Sequence, residues 1–318
     1  LPALGWQRPT RNTGHSMTTP QALTIITSLG LTDATLTATD VPETDYAAWS
    51  SGTTYASAAR IIYQHKIFES LQAANLNKTP GVDVLWWVEV SATNRWKCFD
   101  LSNSTKTAQA TSLYYEITPG VAVNGVAALG LVNATSIRIR LTDPSFGVVY
   151  DETISLSTIP EESSWYAWFF GTRSETAQTF VSDLPSYPNA TLRVDLYGGA
   201  SLAISVLLFG QQKTVGIGVS KGAKIGIQDY SRKETNAFGD TVLVQRAYAK
   251  RASFQMLIAN ADLDNTQQTL ADLRATPCLW IGSSKYAATQ VFGFYSNFDI
   301  GITYAYYSEC SIEIEGLT

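Results

Sequence analysis

Histidine is nearly absent from this 318-residue chain, which holds only His15 and His65. No set of carboxylates stands around either one at the spacing that grips a transition metal, so no metal ligands are assigned and no cofactor is expected. Cysteine is scarce too. Cys98, Cys278 and Cys310 lie far apart, form no Cys-x-x-Cys pair and are odd in number. Neither a zinc site nor a disulfide framework can be built from them, and they are expected to be reduced and mostly buried. Charged residues make up 15% of the chain and the net charge is -5. Without clustered Lys and Arg to displace counterions, nucleic acid is not expected as a partner. No apolar run approaches the ~18 residues of a membrane span, and no basic stretch followed by an apolar one opens the chain. Neither a span nor an export signal is expected.

Thr, Ser, Ala, Gly and Tyr take the place of the missing charge, and hydrophobic residues reach 45%. Side chains that are β-branched or aromatic suit a pleated, half-buried surface, so the chain is expected to be mainly all-β and folded throughout. Its length suggests two or three compact units. Residues 1–22, rich in Pro, Thr, Arg and Asn, read as an extended arm. Residues 23–100 read as a small β module, with one or two strands between Leu23 and Val41 and a dense aromatic stretch from Tyr46 to Phe99. From 101 to 211, strand-length segments separated by turns such as Asp143-Pro144-Ser145-Phe146-Gly147 and Tyr197-Gly198-Gly199 suggest a sandwich or jelly roll. Residues 212–318 read as a C-terminal β domain with one helix at about 264–275. Its Leu263, Gln267, Leu270 and Leu273 are helically spaced, Asp264 or Asn265 is a candidate cap, and Pro277 is the stop.

No catalytic set emerges. Glu161 and Glu162 beside Trp165 and Trp168 could serve glycoside hydrolysis only if both carboxylates faced one sugar, yet adjacent residues on a strand face opposite ways. Gly216, Gly218 and Gly222 precede no helix and fit a strand better than a dinucleotide loop. No serine pairs with a histidine in a recognisable motif. A non-enzymatic protein is therefore expected.

The aromatic stretch offers binding chemistry instead. A sugar presents apolar C–H faces and a rim of hydroxyls, which flat Trp and Tyr surfaces with nearby polar groups can match. Trp49, Tyr55 and Trp86 are the candidate platforms, with Glu69 and Asn75 as polar auxiliaries. The competing reading makes Trp49, Tyr63 and Trp87 the core of a small module. Adjacent Trp86 and Trp87 should point to opposite sides of a strand, one inward and one available. His65 reads as a solvated strand residue or as a polar contact at the rim of a sugar.

The run Tyr46-Ala-Ala-Trp49-Ser-Ser-Gly52-Thr-Thr-Tyr55, followed by Arg60-Ile-Ile-Tyr63, Phe68-Glu-Ser, Asn75, Pro80 and Trp86-Trp87, resembles the small chitin-binding type of carbohydrate-binding module. With Thr93 to Asp100 directly after it, the chain resembles a baseplate or tail-tip protein of long-tailed phages of Gram-negative bacteria. The stretch Gly130 to Leu141, with Asp143, Gly147 and Val149-Tyr150, is similar to galactose-binding-type jelly rolls. The resemblance implies a virion structural protein, assembled in the host cytoplasm with other tail and baseplate proteins. It implies a homo-oligomer, trimer or hexamer, with contact to host surface polysaccharide. The alternatives are a free carbohydrate-binding protein and, further off, a glycan hydrolase.

Overall fold

The computed structural model describes residues 22–158, 174–219, 222–235 and 239–317. The N-terminal arm and the Glu161-Glu162 pair with its tryptophans fall outside these residues. The chain is mainly β, built from antiparallel sheets. Among the described residues there is one α-helix, Leu263–Asp272.

The C-terminal body is a closed barrel. Around it run Gln212–Val215, Leu23–Thr27, Cys278–Ile281, Gln290–Gly301, Tyr307–Gly316, Tyr248–Ala259 and Gly218–Val219. The first and last of these strands are joined by only Gly216 and Ile217. Gly216 takes φ +76°, and the Ile217 N–H donates to the Leu257 carbonyl at 2.8 Å. A left-handed residue at this kink lets one segment pair with both neighbours and seal the sheet, a position that glycine fills without steric cost. Alternation along Tyr307–Gly316 puts Ile312 and Ile314 inside and leaves Glu313 exposed. Leu23, Ile25, Phe254, Met256, Trp280 and Ile312 fill the interior, and Leu270 of the helix and Leu273 just past its end join the same core. A small barrel filled by its own side chains has no channel.

A six-stranded sheet and a three-stranded sheet form the sandwich. Leu113, Tyr115, Ile137, Ile139, Leu192 and Val194 from the first meet Val126, Ala128, Leu207 and Phe209 from the second. The three-stranded sheet is buried on both faces, which explains the unbroken apolar runs of Gly125–Leu129 and Val206–Gly210. Its reverse face, with Ala127, Leu129, Val206 and Leu208, packs on Ile26, Leu279, Ile281 and Phe292 from the barrel's outer wall. Sandwich and barrel are thus successive layers of one stack.

Three expectations change here. Leu23–Thr27 does not enter the small module but pairs with Gln212–Val215 and Cys278–Ile281, and Leu36–Thr39 joins Ser112–Ile117 in the sandwich. A strand's own residues fix its faces but not its partners, and these partners are distant in sequence. Gly198-Gly199 is not a turn. Thr191–Ile204 runs through it as one strand, with register slips opposite Val132 to Ser136, because a bulge in this central strand absorbs the irregularity. The helix begins at Leu263 with Asp262 at its cap position, and no side-chain cap bond forms.

The small module stands on this body. Its three-stranded sheet is Arg60–Tyr63, Lys66–Ser70 and Trp87–Ala92, and a short pair, Thr54–Tyr55 with Asn75–Leu76, lies beside it.

Candidate functional site

Ile61, Phe68 and Trp87 form the buried centre of the small module, with Trp49, Tyr55, Tyr63 and Trp86 packed partly exposed around them. This is a minimal core, and polar struts complete it. Trp87 donates its indole N–H to the Lys78 carbonyl at 2.8 Å. The loop that delivers the tryptophan pair is tied by Asp83, which accepts from the Thr79 N–H at 2.6 Å and gives its own carbonyl to the Trp86 N–H at 2.9 Å.

The two tryptophans differ in burial, but not by strand alternation, because the strand begins at Trp87 and Trp86 ends the turn before it. Trp87 is buried, and Trp86 keeps part of its surface open, with the Lys78 ammonium 5.5 Å from its ring centroid. Trp49 and Tyr55 are less free than the sequence suggested. Trp49 meets Tyr63 edge-on, with centroids 5.4 Å apart, and its indole N–H is buried without an acceptor among the described residues. Tyr55 meets Trp87 edge-on at 5.3 Å, and its hydroxyl accepts from the Ser50 N–H at 2.8 Å. Each of the three candidate rings therefore packs against a different partner.

The polar auxiliaries separate in the same way. Asn75 is fully buried and donates to Ser70 Oγ at 2.9 Å, so it braces the module and cannot reach a sugar. A polar residue in an aromatic neighbourhood looks alike in sequence whether it faces in or out. Glu69 is half-buried and accepts from Arg60 Nε at 2.8 Å, while Arg60 Nη1 donates to the Tyr46 hydroxyl at 3.3 Å. Those bonds, to Tyr46 first and then Glu69, hold the Arg60 guanidinium more firmly in its charged form. Tyr46 and Arg60 were missed, although a two-residue turn between Tyr63 and Lys66 fixes the Arg60 to Glu69 register.

His65 is not a strand residue. It sits with Gln64 in that turn, at φ +64° and +48° respectively. A cluster of exposed aliphatics was also missed: Leu71, Leu76, Val82, Val84 and Leu85, the last 75% exposed beside Trp86.

Elsewhere, all three cysteines are free and buried. Among the described residues no group of His, Cys, Asp and Glu could hold a metal ion, and no helix is long and apolar enough to cross a membrane.

No family model matches the chain, and no curated protein matches it. Among solved structures, a point mutant of chitosan-binding module 1 from a chitosanase/glucanase of Paenibacillus sp. IK-5 aligns at 13% identity. The alignment covers 36% of this chain and 83% of that one, with a TM-score of 0.25, a value that does not establish a common fold.

Proposed function

We propose that this chain is a non-enzymatic structural subunit of a bacteriophage tail tip, joined to other tail proteins and to copies of itself, whose small module contacts a host surface polysaccharide. The observation that carries the glycan contact is Trp86, a partly open ring packed against the module's buried centre and flanked by Lys78. Tyr46, Arg60 and Glu69 on the same module supply hydroxyl-binding groups. A flat ring fixed in place gives up little entropy on stacking against a sugar face.

The structural role is supported by the resemblance carried by residues 46–100 and by surface that a solitary protein has no need of. Lys224–Asp229, paired with residues 248–253, and Thr241–Val244, paired with Arg232–Thr235, expose Ile225, Ile227, Val242 and Leu243. Apolar ribbons of this kind suit subunit contacts.

Gold-labelled antibody against the chain, viewed on virus particles by negative-stain microscopy, tests the virion role. Label clustered at the tail tip is the expected result. Soluble protein with unlabelled particles would instead favour a free carbohydrate-binding protein.

A further inference from the structure

The small module meets the body at a polar junction around His65. From the turn that ends the module's first hairpin, Nδ1 of His65 lies 2.9 Å from Glu43 Oε1 and Nε2 lies 2.8 Å from Asp33 Oδ1. Both ring nitrogens thus face carboxylate oxygens. A neutral imidazole can donate from only one nitrogen, whereas an imidazolium donates from both. Trp96 covers the ring with centroids 4.4 Å apart and planes inclined at 30°.

The partners belong to the body and its connections. Asp33 lies in the turn between Thr32 and Thr35, flanked by Leu31 and Leu36, which pack on the sandwich core. Glu43 follows the fully buried Val41 and also accepts from Thr93 Oγ1 at 2.7 Å, while Arg95 Nη1 approaches its other oxygen at 3.4 Å. Trp96 continues through Phe99 and Tyr115 into the sandwich. The other charges close by are engaged elsewhere: Lys66 with Glu89 at 2.8 Å, and Asp45 with the Asn94 N–H at 3.0 Å. A non-glycine pair at positive φ in the hairpin turn is uncommon, and here it presents the imidazole to two acids at once.

We infer that His65 is a proton-operated latch that holds the small module's hairpin turn against the body, closed when the imidazole carries its charge. Loss of the proton leaves one nitrogen facing a carboxylate without a hydrogen to share, and that side of the junction repels. Burial disfavours the charge, but the bonds the imidazolium donates to Glu43 and Asp33 outweigh it and raise the pKa above the ordinary imidazole value. A raised docked pKa means that closure is fully supported below the undocked value of ~6.5 and is lost as pH rises through the higher docked one. The module consequently gains freedom on passing from mildly acidic to mildly alkaline solution, whatever it binds.

The test combines imidazole titration by NMR with small-angle X-ray scattering of the whole chain at about pH 5.5 and about pH 8.5, either side of the ordinary imidazole value. The expected result is a His65 midpoint above the ordinary imidazole value of ~6.5 and a larger radius of gyration at the higher pH. His65→Gln should show the larger radius at both values. Asp33→Asn, at an exposed turn, should keep the fold and move the His65 midpoint down. A wild-type radius indifferent to pH, or a His65→Gln protein that keeps the wild-type response, would overturn the latch.

Discussion

Gly210 passes so close to the carbonyl of Thr27 that a Cβ built there would collide with its oxygen and lie 3.0 Å from its carbon. This is the point where the chain leaves the sandwich's inner sheet for the barrel, and it is tied on both sides. Leu29 N–H donates to the Phe209 carbonyl at 2.9 Å, and Thr27 N–H to the Gln211 carbonyl at 3.2 Å. Backbone held this way cannot yield to a methyl group. Gly210→Ala is expected to cost about 1–3 kcal/mol, as overpacking of a close contact does. Urea unfolding followed by circular dichroism would show the lower midpoint, and an unchanged midpoint would mean that the two strands separate easily.

Trp86 and Trp87 should give opposite phenotypes. Trp87→Ala removes the largest side chain from a three-residue centre, a loss of about 3–5 kcal/mol that a module this small should not survive. Trp86→Ala should leave the module folded and abolish retention on host surface polysaccharide in an affinity pull-down. Full retention by folded Trp86→Ala would remove Trp86 from the site.

The thiols should be inert in the native protein. Burial pushes Cys98 and Cys278 up to about 12 and Cys310 to about 11. Thiolate is the reactive form, so at neutral pH Ellman's reagent should react only as fast as the structure opens, and should count three thiols in denaturant. Rapid native labelling would show that one core is accessible.

Lys250 is expected to weaken the fold it belongs to. Burial lowers its pKa, so the unfolded chain holds the proton more tightly than the native one. Stability should then rise with pH from the lowered native value up to the ordinary lysine range. Lys250→Met keeps the stem and discards the charge, and should raise Tm at neutral pH and flatten that alkaline rise. A lower Tm would mean that its 3.4 Å bond to Gln178 matters more than its burial.

Much of the strand content could be read directly, because the inside and outside of Tyr307–Gly316 alternate in its letters and Gly125–Leu129 is apolar throughout. Partnership could not. Leu23–Thr27 has the letters of a core strand, yet nothing in them points to residues 212–215 and 278–281. At the candidate site, the expected difference in burial between Trp86 and Trp87 is present, but it comes from the turn that ends at Trp86 and not from alternation along a strand. Asn75 and His65 were misread because their orientation depends on contacts with Ser70, Asp33 and Glu43 that no local pattern encodes.

The barrel's debt to Leu23–Thr27 also sets the order of events during synthesis. Thr27 bonds to Gln211, 184 residues later in the chain. At ordinary translation speeds of about 5–20 residues per second, the first strand waits roughly ten to forty seconds for that partner to be made. Its remaining neighbour, Cys278–Ile281, comes still later, so an apolar edge stays unpaired on the ribosome until those residues have been made. Chaperone occupancy of nascent chains should therefore persist from the emergence of Leu23–Thr27 until Cys278–Ile281 emerges.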